Sequence, residues 1–295
     1  MTDTAHRPVT VRSLLERSAG ILAASGILDP QVDAELLIGH VLGASRGRVQ
    51  SLSVTDAPIG VEESLAVVEA VERRAAREPL QHITGVAWFR SLELAVGPGV
   101  FVPRPETEFV AGLGIDALRS VMPAPDAQPL AVDLGTGSGA IALALATEVP
   151  HAQVVAVENS TAAFIWARQN FRSVAADNAR LVFIDLADAL PELDGTVDVV
   201  VSNPPYIPLG AIPRDPEVRL HDPAHALYGG EDGLDVVHHV SATAKRLLRP
   251  GGSLVVEHGD LQGPDMRALL QADGWRAVAT HRDLTLRDRA TTAIR

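Results

Sequence analysis

The stretch Leu130-Ala131-Val132-Asp133-Leu134-Gly135-Thr136-Gly137-Ser138-Gly139-Ala140 decides how this chain folds. A short, largely apolar run enters a loop with glycine at every second position, and an alanine-rich apolar run follows over 140–148. That order reads as a strand buried on both faces, a tight turn and a helix. Glycines allow the turn and let a ligand press against bare backbone that a Cβ would block. The helix start adds free N–H groups and the positive end of the helix dipole.

Outward from this loop the pattern repeats. Strands are predicted at 130–134, 153–157, 180–184, 197–202 and 253–257, with helices at 140–148, 161–175 and 233–248. Two more strands, 275–280 and 289–294, are expected to close the chain as a hairpin. Alternation of this kind means an α/β fold, a doubly wound seven-stranded sheet covered on two sides, with ligands beyond the carboxyl ends of its strands. The first 80 or so residues read as helices. One is capped by Thr10 and carries Leu14, Leu15, Ile21 and Leu22. A second opens at Asp29-Pro30, with Val32, Leu36, Leu37 and Val41 on one face and a stop near Gly43, and a third covers about 61–77. Residues 82–102 alternate apolar positions with Gly85, Gly97, Pro98 and Gly99, a β-hairpin pattern. The expected organisation is therefore a helical N-terminal domain over 1–78, a hairpin linker over 79–105 and the sheet domain over 106–295.

Composition narrows the function classes. Lys+Arg is 25 against Asp+Glu 37, a net charge of −12, which argues against a broad cationic face for nucleic acid. With 46% hydrophobic and 21% charged residues the chain can build a core. Cysteine is absent, which removes disulfides, thiolate metal sites and thiol nucleophiles. No metal-ligand cluster stands out. The start of the chain is polar, with no apolar leader core, and no run reaches the 18 or so apolar residues of a membrane span. A cytoplasmic, non-membrane protein is expected, with a monomer as its state.

The loop suits a cofactor built on a nucleoside. Gly135, Gly137 and Ala140 satisfy the dinucleotide fingerprint, so a nicotinamide cofactor stays open at this point. Glu158, 23 residues after Gly135, can accept ribose hydroxyls of either NAD or S-adenosylmethionine. Asp133 favours the second, because a carboxylate there is badly placed for a pyrophosphate and suits the amino group of a methionine moiety. Asp185 is a candidate for an adenine amine, with Leu186 beside the ring.

The fourth strand ends in Asn203-Pro204-Pro205-Tyr206. Consecutive prolines cannot continue a sheet, so the backbone leaves it stiffly. The Asn203 side-chain oxygen and the Pro204 carbonyl become two fixed acceptors, suited to the two hydrogens of a planar –NH₂. Tyr206 can stack on a flat group. An amide or aromatic amine nitrogen is a weak nucleophile, and gripping both of its hydrogens turns the lone pair toward an incoming methyl. Positioning then supplies most of the rate, with no strong general base.

These residues resemble the Asn-Pro-Pro-Tyr class of S-adenosylmethionine-dependent N-methyltransferases, and within it the release factor glutamine methyltransferase family. The resemblance spans nearly the whole chain and rests on 78–85, 101–108, 133–146, 201–207, 226–234, 250–252, 257–259 and 283–289. It implies a methyltransferase sheet with a helical N-terminal domain, and methyl transfer to the glutamine amide of a Gly-Gly-Gln motif in class I peptide chain release factors. It implies that Gly135, Thr136, Gly137, Ser138, Gly139, Glu158, Leu186 and Asn203 meet the cofactor, and that Asn203, Pro204, Pro205 and Tyr206 hold the amide. The 101–108 segment, Phe101 and Arg104 among it, would wall the pocket, and the N-terminal helices would help dock the release factor. Departures are Glu158 where the family usually has Asp, Asp222-Pro223 for a commoner Glu-Pro, and Leu186 for a bulkier aromatic. Rival acceptors are a ribosomal protein glutamine and an adenine or cytosine amine in nucleic acid. The charge and an aromatic content of 4% speak against the last.

Overall fold

The structure, a computed structural model, describes residues 9–122 and 127–295. The polar start read above, apart from Val9 and Thr10, lies outside the described residues. By their contacts the described residues group into two units, one up to Gly85 plus Arg214–His221, the other Val86–Pro213 plus Asp222–Arg295.

The first unit holds helices α1 (Val11–Ala24), α2 (Pro30–Leu42), α3 (Arg46–Val54), α4 (Val61–Ala75) and α5 (Leu80–Thr84). Thr10 caps α1 and forms a capping box with Ser13. Asp29 makes no side-chain cap bond to α2, so that start rests on Pro30 alone. The buried face of α2 is Ala34, Leu37 and Ile38, whereas Leu36 is exposed. Of the expected face, Leu37 is buried and Val41 packs against the same core, so Leu36 is the residue misplaced. Helix α3 went unread because Val49 is its sole buried residue and it has no apolar stripe to recognise. A later helix, α9 (Pro216–His221), belongs to this unit. Its Glu217 carboxylate accepts from Arg74 at 2.7 Å and Arg77 at 2.8 Å, while Arg74 also donates to Asp33 at 2.7 Å.

The second unit begins with the hairpin β1 (Val86–Phe89) and β2 (Leu92–Ala95). The stretch expected as a hairpin over 79–105 thus starts with the helical turn α5 and ends in irregular chain. There Val96, Val100 and Val102 are buried against Ala163. Next come α6 (Pro105–Arg119), β3 (Leu130–Leu134), α7 (Ala140–Glu148), β4 (Gln153–Glu158), α8 (Thr161–Val174), β5 (Ala179–Phe183) and β6 (Val197–Ser202). The chain continues through α10 (Ala224–Leu227), α11 (Asp235–Leu247), β7 (Leu248–Glu257), α12 (Gly263–Ala272), β8 (Arg276–Arg282) and β9 (Asp288–Ile294). The sheet order is β5-β4-β3-β6-β7-β9-β8, parallel from β5 to β7, with β9 antiparallel to both neighbours. Strand alternation divides the core. Ala131, Val199 and Val201 meet α6 and α7 on one face, and Val132, Val200 and Val256 meet α11 and α12 on the other. Helix α6 comes close because residue 114 is glycine, where a Cβ would sit 2.7 Å from Val201. The order reverses between β3 and β6, so the two motif-bearing strands lie side by side.

Among the described residues no helix is long and apolar enough to cross a membrane.

Candidate active site

The carboxyl ends of β3, β4, β5 and β6 carry nearly every residue singled out from the sequence. Gly135, Gly137 and Gly139 all have positive φ, at 75°, 58° and 89°, which glycine adopts without strain. A Cβ at Gly135 or Gly137 would meet nothing within 4 Å, so this backbone faces open space. Glu158 ties the loop to β4. Its carboxylate accepts from the backbone N–H of Gly137 at 2.8 Å, Ser160 at 2.8 Å and Asn159 at 3.1 Å. Burial outweighs those donors and raises its pKa. Asn159 bridges onward, donating to Asp185 at 2.8 Å. Asp185 also accepts from Ala187 N–H, and these bonds, led by the Ala187 one, keep its carboxyl below the ordinary range. Leu186, in the turn Leu186–Asp188, is half-buried.

Asp133 is fully buried. One of its oxygens, Oδ2, accepts from the Thr136 hydroxyl at 2.6 Å and from Ala142 N–H at 3.1 Å, stapling the loop to α7. The other, Oδ1, is buried with no hydrogen-bond partner among the described residues. Burial pushes this carboxyl up to about 7. Orphaned buried polar atoms are uncommon and call for an explanation. An open acceptor beneath a bare glycine loop, with a carboxylate at the next strand end, fits a nucleoside cofactor bearing an ammonium group.

Beside the loop, Ser202 at the end of β6 donates to the Leu134 carbonyl at 2.7 Å, so the Asn203–Tyr206 turn starts one bond from the glycines. The turn is held from behind. Gln262 donates to the Tyr206 carbonyl at 3.0 Å while its own oxygen accepts from Gly259 N–H at 2.9 Å. A Cβ at Gly229 would lie 2.4 Å from the Pro205 carbonyl oxygen, and one at Gly233 would lie 2.2 Å from that of Tyr206. The 229–233 loop therefore clamps the turn through glycines. Asn203 and Tyr206 are half-buried, and Pro204 is buried. Burial, then the nearby Glu257, pushes the Tyr206 phenol well up, so it stays neutral. Arg104 donates to Asp222 at 2.7 Å and lies 5.0 Å over the Phe101 ring. This pins the 101–108 segment to the chain just before α10.

Sequence reasoning assigned no role to Gln262, Gly229, Gly233, Glu257 or Asn170, and placed Thr107 only within the 101–108 wall of the pocket. Asn170 exchanges bonds with both backbone groups of Ala95 and donates to the Ser138 carbonyl at 2.9 Å, joining the hairpin to the glycine loop. Gly229 and Gly233 stood within a recognised segment, and paired glycines just before a helix were the signal available. An isolated Gln or Asn carries none.

The sheet order and the loop at its switch point define an S-adenosylmethionine-dependent methyltransferase, and the family described as "Methyltransferase small domain" matches residues 107–212. The catalytic domain of hMettl16, solved with an RNA hairpin, shares this fold at a TM-score of 0.54 and 15% identity, over 79% of this chain and 81% of that one. Residues 13–85 match the family described as "PrmC N-terminal domain". A "Release factor glutamine methyltransferase" of Streptomyces coelicolor is 51% identical over 92% of this chain and 93% of that protein. The chain belongs to the release factor glutamine methyltransferase family. A "4-amino-L-phenylalanine/4-methylamino-L-phenylalanine methyltransferase" of Streptomyces pristinaespiralis is also 40% identical, over 99% of this chain and 97% of that protein.

Proposed function

We propose that this protein transfers a methyl group from S-adenosylmethionine to the side-chain amide nitrogen of the glutamine in the Gly-Gly-Gln motif of class I peptide chain release factors. The observation that carries the reading is the adjacency of the glycine loop and the Asn203–Tyr206 turn, bridged by the 2.7 Å bond from Ser202 to Leu134. When bound, the cofactor supplies an electrophilic methyl on a positively charged sulfur. Gly135, Thr136, Gly137, Ser138 and Gly139 would line it, Glu158 would accept from its ribose, and Asp133 would complement its ammonium group. Asp185 and Leu186 would bracket the adenine. Asn203 Oδ1 and the Pro204 carbonyl accept the two amide hydrogens, and Tyr206 and Pro205 confine the plane of the carboxamide. With both hydrogens held, the nitrogen lone pair is directed and the proton leaves after transfer. Phe101 and Arg104 would wall the pocket, and the 1–78 helices would dock the release factor.

A second acceptor class is favoured by the Streptomyces pristinaespiralis relative, whose name gives aromatic amines as its substrates. The same two acceptors would grip such an –NH₂. The discriminating experiment offers labelled cofactor with a Gly-Gly-Gln release factor, a ribosomal protein, 4-aminophenylalanine and nucleic acid in parallel, and reads the products by mass spectrometry. A gain of one methyl on the Gly-Gly-Gln glutamine is the expected result. Label confined to the free amine or to nucleic acid overturns the assignment. The protein is further proposed to act as a cytoplasmic monomer without nucleic-acid affinity, which light scattering and a binding titration check.

A further inference from the structure

Behind the Asn203–Tyr206 turn lies a buried carboxyl that the proposed reaction does not use. Parallel pairing sets Ser202 against Val256, so Asn203 and Glu257 leave adjacent strands together. Antiparallel pairing sets Glu257 against Ala290, which brings Arg289 of β9 alongside. The first turn of α6 closes the group with Glu106 and Thr107. Glu257 is 1% exposed, and its Oε2 has no hydrogen-bond partner among the described residues. The Thr107 and Tyr206 side chains lie near its carboxyl and lower its pKa against the effect of burial. Arg289 is committed to Asp283 at 3.2 Å. His258, the residue that follows β7, is buried and neutral. Its Nδ1 donates to the Gly259 carbonyl at 2.8 Å, and its Nε2 accepts from Thr291 at 2.9 Å. Burying a carboxyl is costly, and the compensation should lie in something it orders.

Thr107 shows what that is. Its hydroxyl lies 3.4 Å from the Asn203 side-chain amide. A threonine hydroxyl has one hydrogen and two lone pairs. If the hydrogen goes to Glu257, only lone pairs remain for Asn203, which must then turn Nδ2 inward and leave Oδ1 facing outward. If the hydrogen is released, Thr107 can donate to Oδ1 of the opposite flip, and Asn203 would offer N–H groups to an acceptor that also carries N–H groups. We propose that Glu257 is a positioning residue: through Thr107 it selects the Asn203 flip that grips the substrate –NH₂, and directly it steadies Tyr206. This rests on the role given to Asn203 above. Burial pushes Glu257 up to about 8. A protonated carboxyl can turn its own O–H toward Thr107 and release that selection, so ionisation strengthens the grip. The charged groups facing Glu257 are Glu106 from α6 and Arg289 from β9, with Asp283 beyond it.

The test measures kcat, both KM values, calorimetric cofactor affinity and melting for wild type, Glu257→Ala, Glu257→Gln, Thr107→Val and the Glu257→Ala/Thr107→Val double variant, from pH 6 to 9. Loss of the selection is expected to lower kcat about tenfold in either single variant, with cofactor affinity kept within a few-fold. The double variant is expected to be no worse than either single one, because both break one chain. Glu257→Gln, an uncharged stand-in for the protonated carboxyl, is expected to match the low-pH kcat of the wild type and to abolish the rise in kcat toward pH 8. The Asn203 side-chain amide resonance, a readout that needs no turnover, should move in Glu257→Ala and Thr107→Val, and in Glu257→Gln should sit where the wild type has it at low pH. Unchanged kcat in Glu257→Ala, an additive double variant, or an unmoved Asn203 resonance overturns the proposal. A wild type that methylates only the aromatic amine overturns the substrate reading instead, and the same variants are then scored on that amine.

Discussion

Asn203 and Asp133 show how far a single side chain can be held to account. Asn203→Ala removes one of two fixed acceptors while leaving the Pro204 carbonyl in place. Turnover is expected to fall on the order of 100-fold, as when one preorganised partner of a reacting group is deleted. Cofactor affinity by calorimetry should change only a few-fold, and undiminished turnover would remove Asn203 from the grip. Asp133 tests the other half of the site. In the folded protein burial raises its pKa from 3.8 to about 7. Between those values the unfolded chain is ionised while the folded one keeps its proton, so this group makes stability fall as pH rises through that window. Asp133→Asn preserves an acceptor for Thr136 and Ala142, and melting curves should lose that slope. Cofactor binding should weaken about tenfold or more if the orphaned oxygen meets an ammonium group. Equal affinity would leave Asp133 a loop staple only.

At the scale of elements, the glycine loop was legible because glycine and proline act locally. A positive φ at three alternate glycines and an Asn-Pro-Pro turn hardly depend on what packs nearby. The clamp formed by 229–233 is different, since its need for glycine comes from carbonyls more than twenty residues away. Gly233→Ala should cost about 1–3 kcal/mol through the clash and the strained φ. It should also lower kcat more than cofactor affinity, because Tyr206 must shift. Helix α8 gives a companion case. Asn170→Ala unpairs backbone groups of Ala95 and Ser138, for an expected loss of about 1–3 kcal/mol in thermal or urea unfolding. Leu36 was misplaced on the buried face of α2 for a related reason. Leu36 and Leu37 are equally apolar, and only the packing of the first unit decides which is buried.

On the scale of the molecule, α9 returns from the neighbourhood of the active-site turn in sequence to the first unit in space. Glu217 secures it there. Burial would raise this carboxyl, but Asp215, Arg74 and the charge of Arg74 pull it down to about 2. A folded pKa below the unfolded 4.5 means the contribution is present above about pH 4.5 and is lost as pH falls toward 2. Glu217→Gln should lower stability by about 3 kcal/mol at neutral pH and flatten the acid limb of the unfolding profile. An unchanged acid limb would mean that Arg74 is satisfied by Asp33 alone.

The sequence by itself determined the alternation of strands and helices, the glycine loop, the Asn203–Tyr206 turn and the carboxylates at strand ends. Each of these is written in local periodicity or in residues with few backbone options. The tertiary structure alone decided that β3 and β6 are neighbours, that Asp133 turns inward, and that Thr107, Glu257 and Gln262 stand behind the turn. The reason is physical: a polar side chain acquires its partner only when strand pairing and burial remove water. No spacing along the chain records that exchange.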